Sequence, residues 1–100
     1  MSTRYLKTVT ATYQAVPEDS VILGNTNAAP FTITLPSCGE ANGVEITVKL
    51  ITANQLILAA KGSDTIEGNA SVSMTSGYKS YTVISNGSST AGVWYILSST

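Results

Sequence analysis

The acidic residues are the side chains whose spacing comes nearest to that of a catalytic site. The closest pairs are Glu18 with Asp19 and Asp64 with Glu67. Two carboxylates held about 5–10 Å apart can hydrolyse a glycosidic bond. Both pairs lie in turn-forming sequence, however, where carboxylates are normally solvated. Histidine is absent from the chain, which removes most general bases and catalytic triads. We therefore predict that the protein is not an enzyme.

Two further features could hold a metal ion or a reactive group. Asp64, Glu67 and Asn69 offer oxygen ligands of the kind that calcium prefers. Their spacing matches no calcium-binding loop, and turn capping explains them more simply. Cys38 is the only cysteine, so no internal disulfide can form, and without histidine it lacks the usual activating base. We predict neither a metal site nor a cofactor.

Aromatic side chains near the end of the chain could form a sugar-binding platform. Tyr78, Tyr81, Trp94 and Tyr95 lie close together in sequence. One hypothesis is that Tyr78 and Trp94 contact a glycan. The simpler interpretation is that Tyr81, together with either Trp94 or Tyr95, belongs to the hydrophobic core.

Two stretches with alternating apolar residues dominate the pattern of the chain. Phe31, Ile33 and Leu35 alternate with threonine, and residues 44–50 alternate again after a break at 36–43 that is rich in turn-forming residues. A period of two is typical of β-strands with one apolar face and one polar face. We predict that these two strands pair with each other.

Shorter β-prone stretches occupy most of the remaining sequence. Residues 50–61 could form a helix, but we favour strands there because β-branched residues precede this segment and a Gly-Ser-Asp turn follows it. Strands at roughly ten-residue spacing, separated by turn signals, predict an all-β class. We expect a single small β-sandwich or barrel-like domain of roughly eight or nine short strands over residues 8–100. Residues 1–7 carry no pattern and are predicted to form an N-terminal arm.

Charge and hydropathy exclude several classes of partner. The net charge is -1, and the five Lys and Arg residues are scattered, whereas a nucleic-acid-binding protein concentrates them in a patch. The longest apolar run, at 50–60, is shorter than the ~20 residues of a membrane-spanning helix. The first seven residues lack the apolar core of a secretion signal. We expect a soluble protein made in a reducing cytoplasm, and its low content of charge favours assembly with other subunits.

Six segments, taken in order, resemble a module of tailed-phage virion proteins. They are DSVILGNT from Asp19, FTITLP to Pro36, NGVEITVK to Lys49, NQLILAAKGSDTIEGN to Asn69, and then YTVISNG and VWYIL. The module is found in head-fibre, capsid decoration and tail-fibre proteins, and the resemblance covers about four-fifths of the chain.

The resemblance implies a non-enzymatic, all-β virion protein that assembles as a homotrimer. Because the module stands nearly alone here, it is most similar to a capsid decoration (cement) protein or a short head fibre. Such a protein would be made in the cytoplasm of the host bacterium, bind the major capsid protein on the virion surface and stabilise the shell. As a hypothesis, Arg4, Tyr5 and Lys7 contact the capsid.

Two other functions remain open from the sequence. The first alternative is a tail-fibre or receptor-binding module that recognises a host-surface glycan through Tyr78 and Trp94. The second is a small enzyme that acts on sugars and depends on Asp64 or Glu67.

Overall fold

The structure is a computed structural model that describes residues 6–75 and 77–100. Within these ranges the chain forms ten β-strands and one short 3₁₀-helix, Cys38–Glu40. The predicted all-β class is therefore confirmed. The strands are β1 (Leu6–Val9), β2 (Tyr13–Gln14), β3 (Val21–Gly24), β4 (Phe31–Thr34), β5 (Glu45–Leu50), β6 (Leu56–Ala59), β7 (Thr65–Ile66), β8 (Ser71–Met74), β9 (Ser80–Ser85) and β10 (Val93–Ser99).

The strands form a sandwich of two sheets, and the chain changes sheet after each of its first eight strands. The large sheet has six strands in the order β1-β3-β5-β9-β10-β7, and the small sheet has four in the order β2-β4-β6-β8. Strands β1, β3 and β5 are parallel, as are β2, β4 and β6. The first half of the chain is thus a flattened coil, which the antiparallel strands β8, β9 and β10 complete.

The two alternating stretches contribute opposite walls of the same core. Ile33 in β4 and the apolar residues of β5 from Ile46 to Leu50 are all fully buried. The predicted pairing of these strands is wrong, because β4 lies in the small sheet and β5 in the large one. A period of two indicates which side chains turn inward, and it carries no information about the hydrogen-bonded neighbour.

The segment that could have formed a helix is a strand, as we predicted. In β6, Leu56 and Leu58 are fully buried while Ile57 is only half-buried, an alternation typical of a sheet. The strand pairs with β4 on one side and with β8 on the other.

The N-terminal arm predicted over residues 1–7 does not extend through its last two residues, because Leu6 and Lys7 belong to β1. The Lys7 ammonium donates to the Tyr13 hydroxyl at 2.9 Å and lies 4.9 Å from the centre of that ring. Lys7 is therefore bound within its own chain. The other two predicted capsid contacts, Arg4 and Tyr5, lie outside the described residues.

A buried carboxylate joins this strand to the turn before β3. Asp19 is 3% exposed, and its Oδ2 atom accepts from the Tyr13 hydroxyl at 2.8 Å and from the Val16 N–H at 3.0 Å. Its Oδ1 atom lies 4.0 Å from the Lys7 ammonium. A carboxylate with so many donors is stabilised despite its burial.

Replacing this carboxylate should destabilise the fold. Asp19→Ala leaves two partly buried donors without their acceptor, so we expect it to lower the free energy of unfolding by about 1–3 kcal/mol, measured by urea denaturation. Glu18→Ala, at the exposed neighbouring position, is the matched control and should change it by less than about 0.5 kcal/mol. Equal effects of the two substitutions would contradict this role of Asp19.

Candidate functional site

Alternation along the strands of the large sheet defines its outer face. In β5 the inward residues are buried, so Glu45, Thr47 and Lys49 point away from the core. The pairing register extends this outward row across the sheet, since Thr47 lies beside Val21 of β3 and Thr82 of β9.

Large apolar side chains lie on this outer face among serine and threonine residues. Tyr95 is 49% exposed, and Leu6 is 62% exposed at the opposite edge strand. Leu97, the extra residue of a β-bulge in β10, is 54% exposed. The remaining apolar members of the face are half-buried by their neighbours: Val21, Leu23, Ile84 and Val93. Its strand residues carry just two charges, Glu45 and Lys49.

The outer face of the small sheet has a different composition. Its outward residues are largely hydroxyl-bearing or small, and Ile57 is the largest apolar side chain among them. None of the markedly exposed large apolar residues in the described chain lies on this face. The two outer faces of the sandwich thus differ in their exposed large apolar side chains, which lie on the large sheet.

The two residues predicted to contact a glycan lie in different environments. Trp94 is fully buried, on the inner face of β10 beside Ile66 of β7. The prediction that it contacts a glycan is therefore wrong, and the core interpretation is confirmed, with Tyr81 packed against the same cluster. Alternation along the strand turns the indole inward, which the residue type alone did not indicate.

Tyr78 does lie at the surface, in the turn before β9. It is 67% exposed and adopts a φ of 67°, a left-handed conformation that is uncommon for a residue with a side chain. Its N–H donates to the Leu50 carbonyl at 2.6 Å, and its carbonyl accepts from the Lys49 ammonium at 3.0 Å. The same ammonium lies 5.7 Å from the centre of the Tyr78 ring.

The acidic residues that could have been catalytic are bound by backbone N–H groups. Asp64 accepts from the Cys38 N–H through Oδ2 and from the Gly92 N–H through Oδ1, each at 2.9 Å. Glu67 accepts from the Ile96 N–H at 2.9 Å. This is the arrangement expected of residues that cap turns and join loops. Within the described ranges, no three His, Cys, Asp or Glu side chains are grouped closely enough to hold a metal ion.

The backbone conformation and contacts of the turn from Gly62 to Gly68 account for its two glycines, its aspartate and its isoleucine. Both glycines have a positive φ, of 63° and 91°, which side chains other than glycine adopt at a cost. Between them, Asp64 binds two neighbouring loops and Ile66 is fully buried in the core. Each of these four residues therefore has a structural role in the turn.

Cys38 is fully buried beneath the same loops. Burial raises the pKa of its thiol above the usual value of 9.0, and the nearby Asp64 carboxylate raises it further, while a hydrogen bond with Ser85 acts in the opposite direction. A thiol that is both buried and protonated is a poor nucleophile.

Comparison with models of protein families gives no match, and comparison with curated proteins gives no relative. Among the described residues, no helix is long and apolar enough to cross a membrane.

The buried indole yields a prediction about stability. Trp94 Nε1 has no hydrogen-bond partner among the described residues. Trp94→Phe should therefore cost less than about 1.5 kcal/mol, because it removes an unsatisfied donor while keeping most of the ring volume. Trp94→Ala should cost about 3–5 kcal/mol through the cavity that it leaves. Urea denaturation of both variants measures the difference, and a phenylalanine variant as unstable as the alanine variant would contradict it.

The environment of Cys38 predicts low reactivity. In the native protein, we expect a thiol reagent at pH 8 to modify Cys38 at least ~100-fold more slowly than in urea.

The thiol ionises near its usual pKa of 9.0 in the unfolded chain and at higher pH in the folded one. Its contribution to stability is thus complete below that pH and is lost as the pH rises through the folded pKa. Stability should fall more steeply above pH 9.0 in the natural chain than in Cys38→Ala, and equal slopes would count against this environment.

Proposed function

We propose that this protein is a non-enzymatic virion component of a tailed phage, which binds the outer surface of the capsid as a homotrimer and stabilises the shell. The observation that carries the proposal is the outer face of the large sheet, where Leu6, Tyr95 and Leu97 are exposed. On the outer face of the small sheet, no large apolar side chain of the described chain is markedly exposed. The resemblance of the sequence to head-fibre and decoration proteins is the reason for proposing a phage virion as the particle to which the protein binds.

The size of this face suits a contact between subunits. Six strands spaced about 4.8 Å apart, with about five residues on average, span a plane of roughly 400 Å². The accessible area is larger because side chains project from the plane. A specific interface buries on the order of 500 Å² or more per partner, so the face is large enough to be the main part of one.

A closed trimer would shield this surface from solvent. Three copies arranged around an axis bury the same patch in each subunit and leave none exposed, which prevents open-ended association. Glu45 and Lys49 carry opposite charges on the face, and they can pair across subunits without adding net charge to the interface. Three capsid-binding regions in one trimer would convert weak individual contacts into strong attachment.

The capsid contact is a separate part of the proposal. Lys7 is bound to Tyr13 and Asp19 within the chain, so the hypothesis that residues of the N-terminal segment contact the capsid now depends on Arg4 and Tyr5. Removing residues 1–5 should weaken capsid binding while the trimer persists.

A tail-fibre or receptor-binding module that recognises a host-surface glycan is the second candidate function. The observation that favours it is Tyr78, an exposed aromatic ring with the Lys49 ammonium close by. Specific and saturable binding on a glycan array, lost in Tyr78→Ala and retained in Tyr95→Ala, would favour this function over decoration.

The proposed trimer depends on the outer face of the large sheet. Light scattering coupled to gel filtration should give three times the chain mass for the natural protein. Tyr95→Lys places a charge in the apolar face, and we expect a monomer that retains its native spectrum. Ser73→Lys adds the same charge to the outer face of the small sheet, where Ser73 is exposed, and should leave the trimer intact. A monomeric natural protein, or loss of the trimer in the control alone, would refute the assignment of this face.

Titration onto capsids that lack the protein tests decoration itself. We expect saturable binding, in multiples of three copies, at fixed positions on the lattice. A stable trimer that binds no capsid would reject decoration and leave the receptor-binding function.

A further inference from the structure

A cleft of about 490 Å³ opens where three loops meet at one end of the sandwich. The loops are the connection that contains the 3₁₀-helix Cys38–Glu40, the turn that follows β6, and the connection between β9 and β10. Among the described residues, none of those discussed above as assembly contacts lines it. Its volume lies in the range of pockets that bind small molecules.

The cleft is built from loops that are already fastened together. Asp64 joins all three, because it belongs to the turn after β6 and accepts N–H groups from Cys38 and Gly92 in the other two. Gly39 and Ser89 are in direct contact, since a Cβ atom at Gly39 would lie 2.9 Å from the Ser89 Cα atom. A site whose walls are held in place before binding loses little conformational freedom when a ligand enters.

Five polar residues in the lining of this cleft have side chains without a partner in the described chain, and all but one of the five are exposed to solvent. They include three hydroxyl groups, one ammonium and one carboxylate, and no hydrogen bond or ion pair joins these groups to any described residue. They belong to Ser37, Ser63, Ser89, Lys61 and Glu40.

The charges of these groups select the chemistry of a ligand. Lys61 and Glu40 oppose each other in sign, and the further negative charge of Asp64 is already shared between two N–H donors. An anion would be repelled by the carboxylates of Glu40 and Asp64. A cation would be repelled by the Lys61 ammonium, and the oxygens of Asp64 already accept two N–H groups. A neutral molecule with many hydroxyl groups can accept from Lys61, donate to Glu40 and do both with the serines.

We propose that this cleft binds a short neutral saccharide. The carboxylate of Glu40 and the ammonium of Lys61 hold its hydroxyl groups, and the serine hydroxyls complete the contacts. Among the described residues, no aromatic ring lines the cleft to stack on a sugar, so we expect an affinity for one or two sugar units on the order of millimolar. This site is separate from Tyr78, and the proposal does not depend on capsid decoration or on the trimer.

Amide chemical shifts of the isotope-labelled protein measure such weak binding directly. The probes are maltose, lactose, cellobiose and diacetylchitobiose, each titrated to about 50 mM, with inorganic phosphate as an anionic comparison. We expect at least one disaccharide to give saturable shifts centred on residues 61–64 and 88–89, and phosphate to give none there. The absence of saturable shifts with every disaccharide would overturn the proposal, and so would shifts centred elsewhere or stronger binding of phosphate.

Variants of the two charged residues separate this site from general surface binding. Glu40→Gln and Lys61→Met should each weaken the binding of that disaccharide by about 3- to 10-fold. Glu18→Gln and Lys79→Met are the matched controls, because both residues lie outside the cleft, and they should leave the affinity unchanged. Thermal unfolding of each variant checks that the fold is kept. Equal weakening by the controls would refute the proposal.

Discussion

The alternation of the chain between two sheets is the constraint on which the rest of the structure depends. Each of the first eight strands is followed by a strand in the other sheet. Two parallel neighbours in one sheet are therefore separated in the sequence by a strand of the other sheet, and side chains must hold the connecting loops together at the ends of the sandwich. At one end of the coil Asp19 joins β2 and the turn before β3 to Lys7 of β1. In a second place, the buried Thr26 hydroxyl forms hydrogen bonds with the Thr52 hydroxyl at 2.6 Å and with the Asn54 carbonyl at 2.8 Å. These bonds join the loop after β3 to the loop after β5.

The same constraint decides what each surface is free to do. The inner faces of both sheets meet in one core. The side chains of the outer faces do not pack in that core and are free to contact other subunits. Loops gather at the ends, where Asp64 fixes three of them with a single carboxylate. In the function that we propose, the large sheet contacts identical subunits while the loop end remains available for other molecules. A small chain can in this way combine a structural surface with a binding site without placing the two in conflict.

The sequence predicted the all-β class and the inward side chains, because alternation follows directly from the pleat of a strand. It left a sandwich and a barrel-like domain open, and the structure is a sandwich of two sheets. It did not predict that β4 and β5 belong to different sheets, since pairing depends on the path of the whole chain. Trp94 was placed in two hypotheses, and the register of β10 beside β7 decides for the core. The cleft was missed entirely, because its serines come from loops distant in sequence. Asp64 is the residue of the cleft that the sequence singles out, and the turn capping that explains its spacing most simply is what the structure shows.

The position of β9 in the large sheet has a consequence for how the chain folds during synthesis. β9 lies between β5 and β10, yet β6, β7 and β8 are made before it. Until residue 85 has left the ribosome, β5 therefore has an unpaired edge, with N–H and C=O groups open to any other strand. Contacts between distant segments also form slowly. The nascent protein thus passes through a period in which pairing with a neighbouring chain competes with completion of its own sheet.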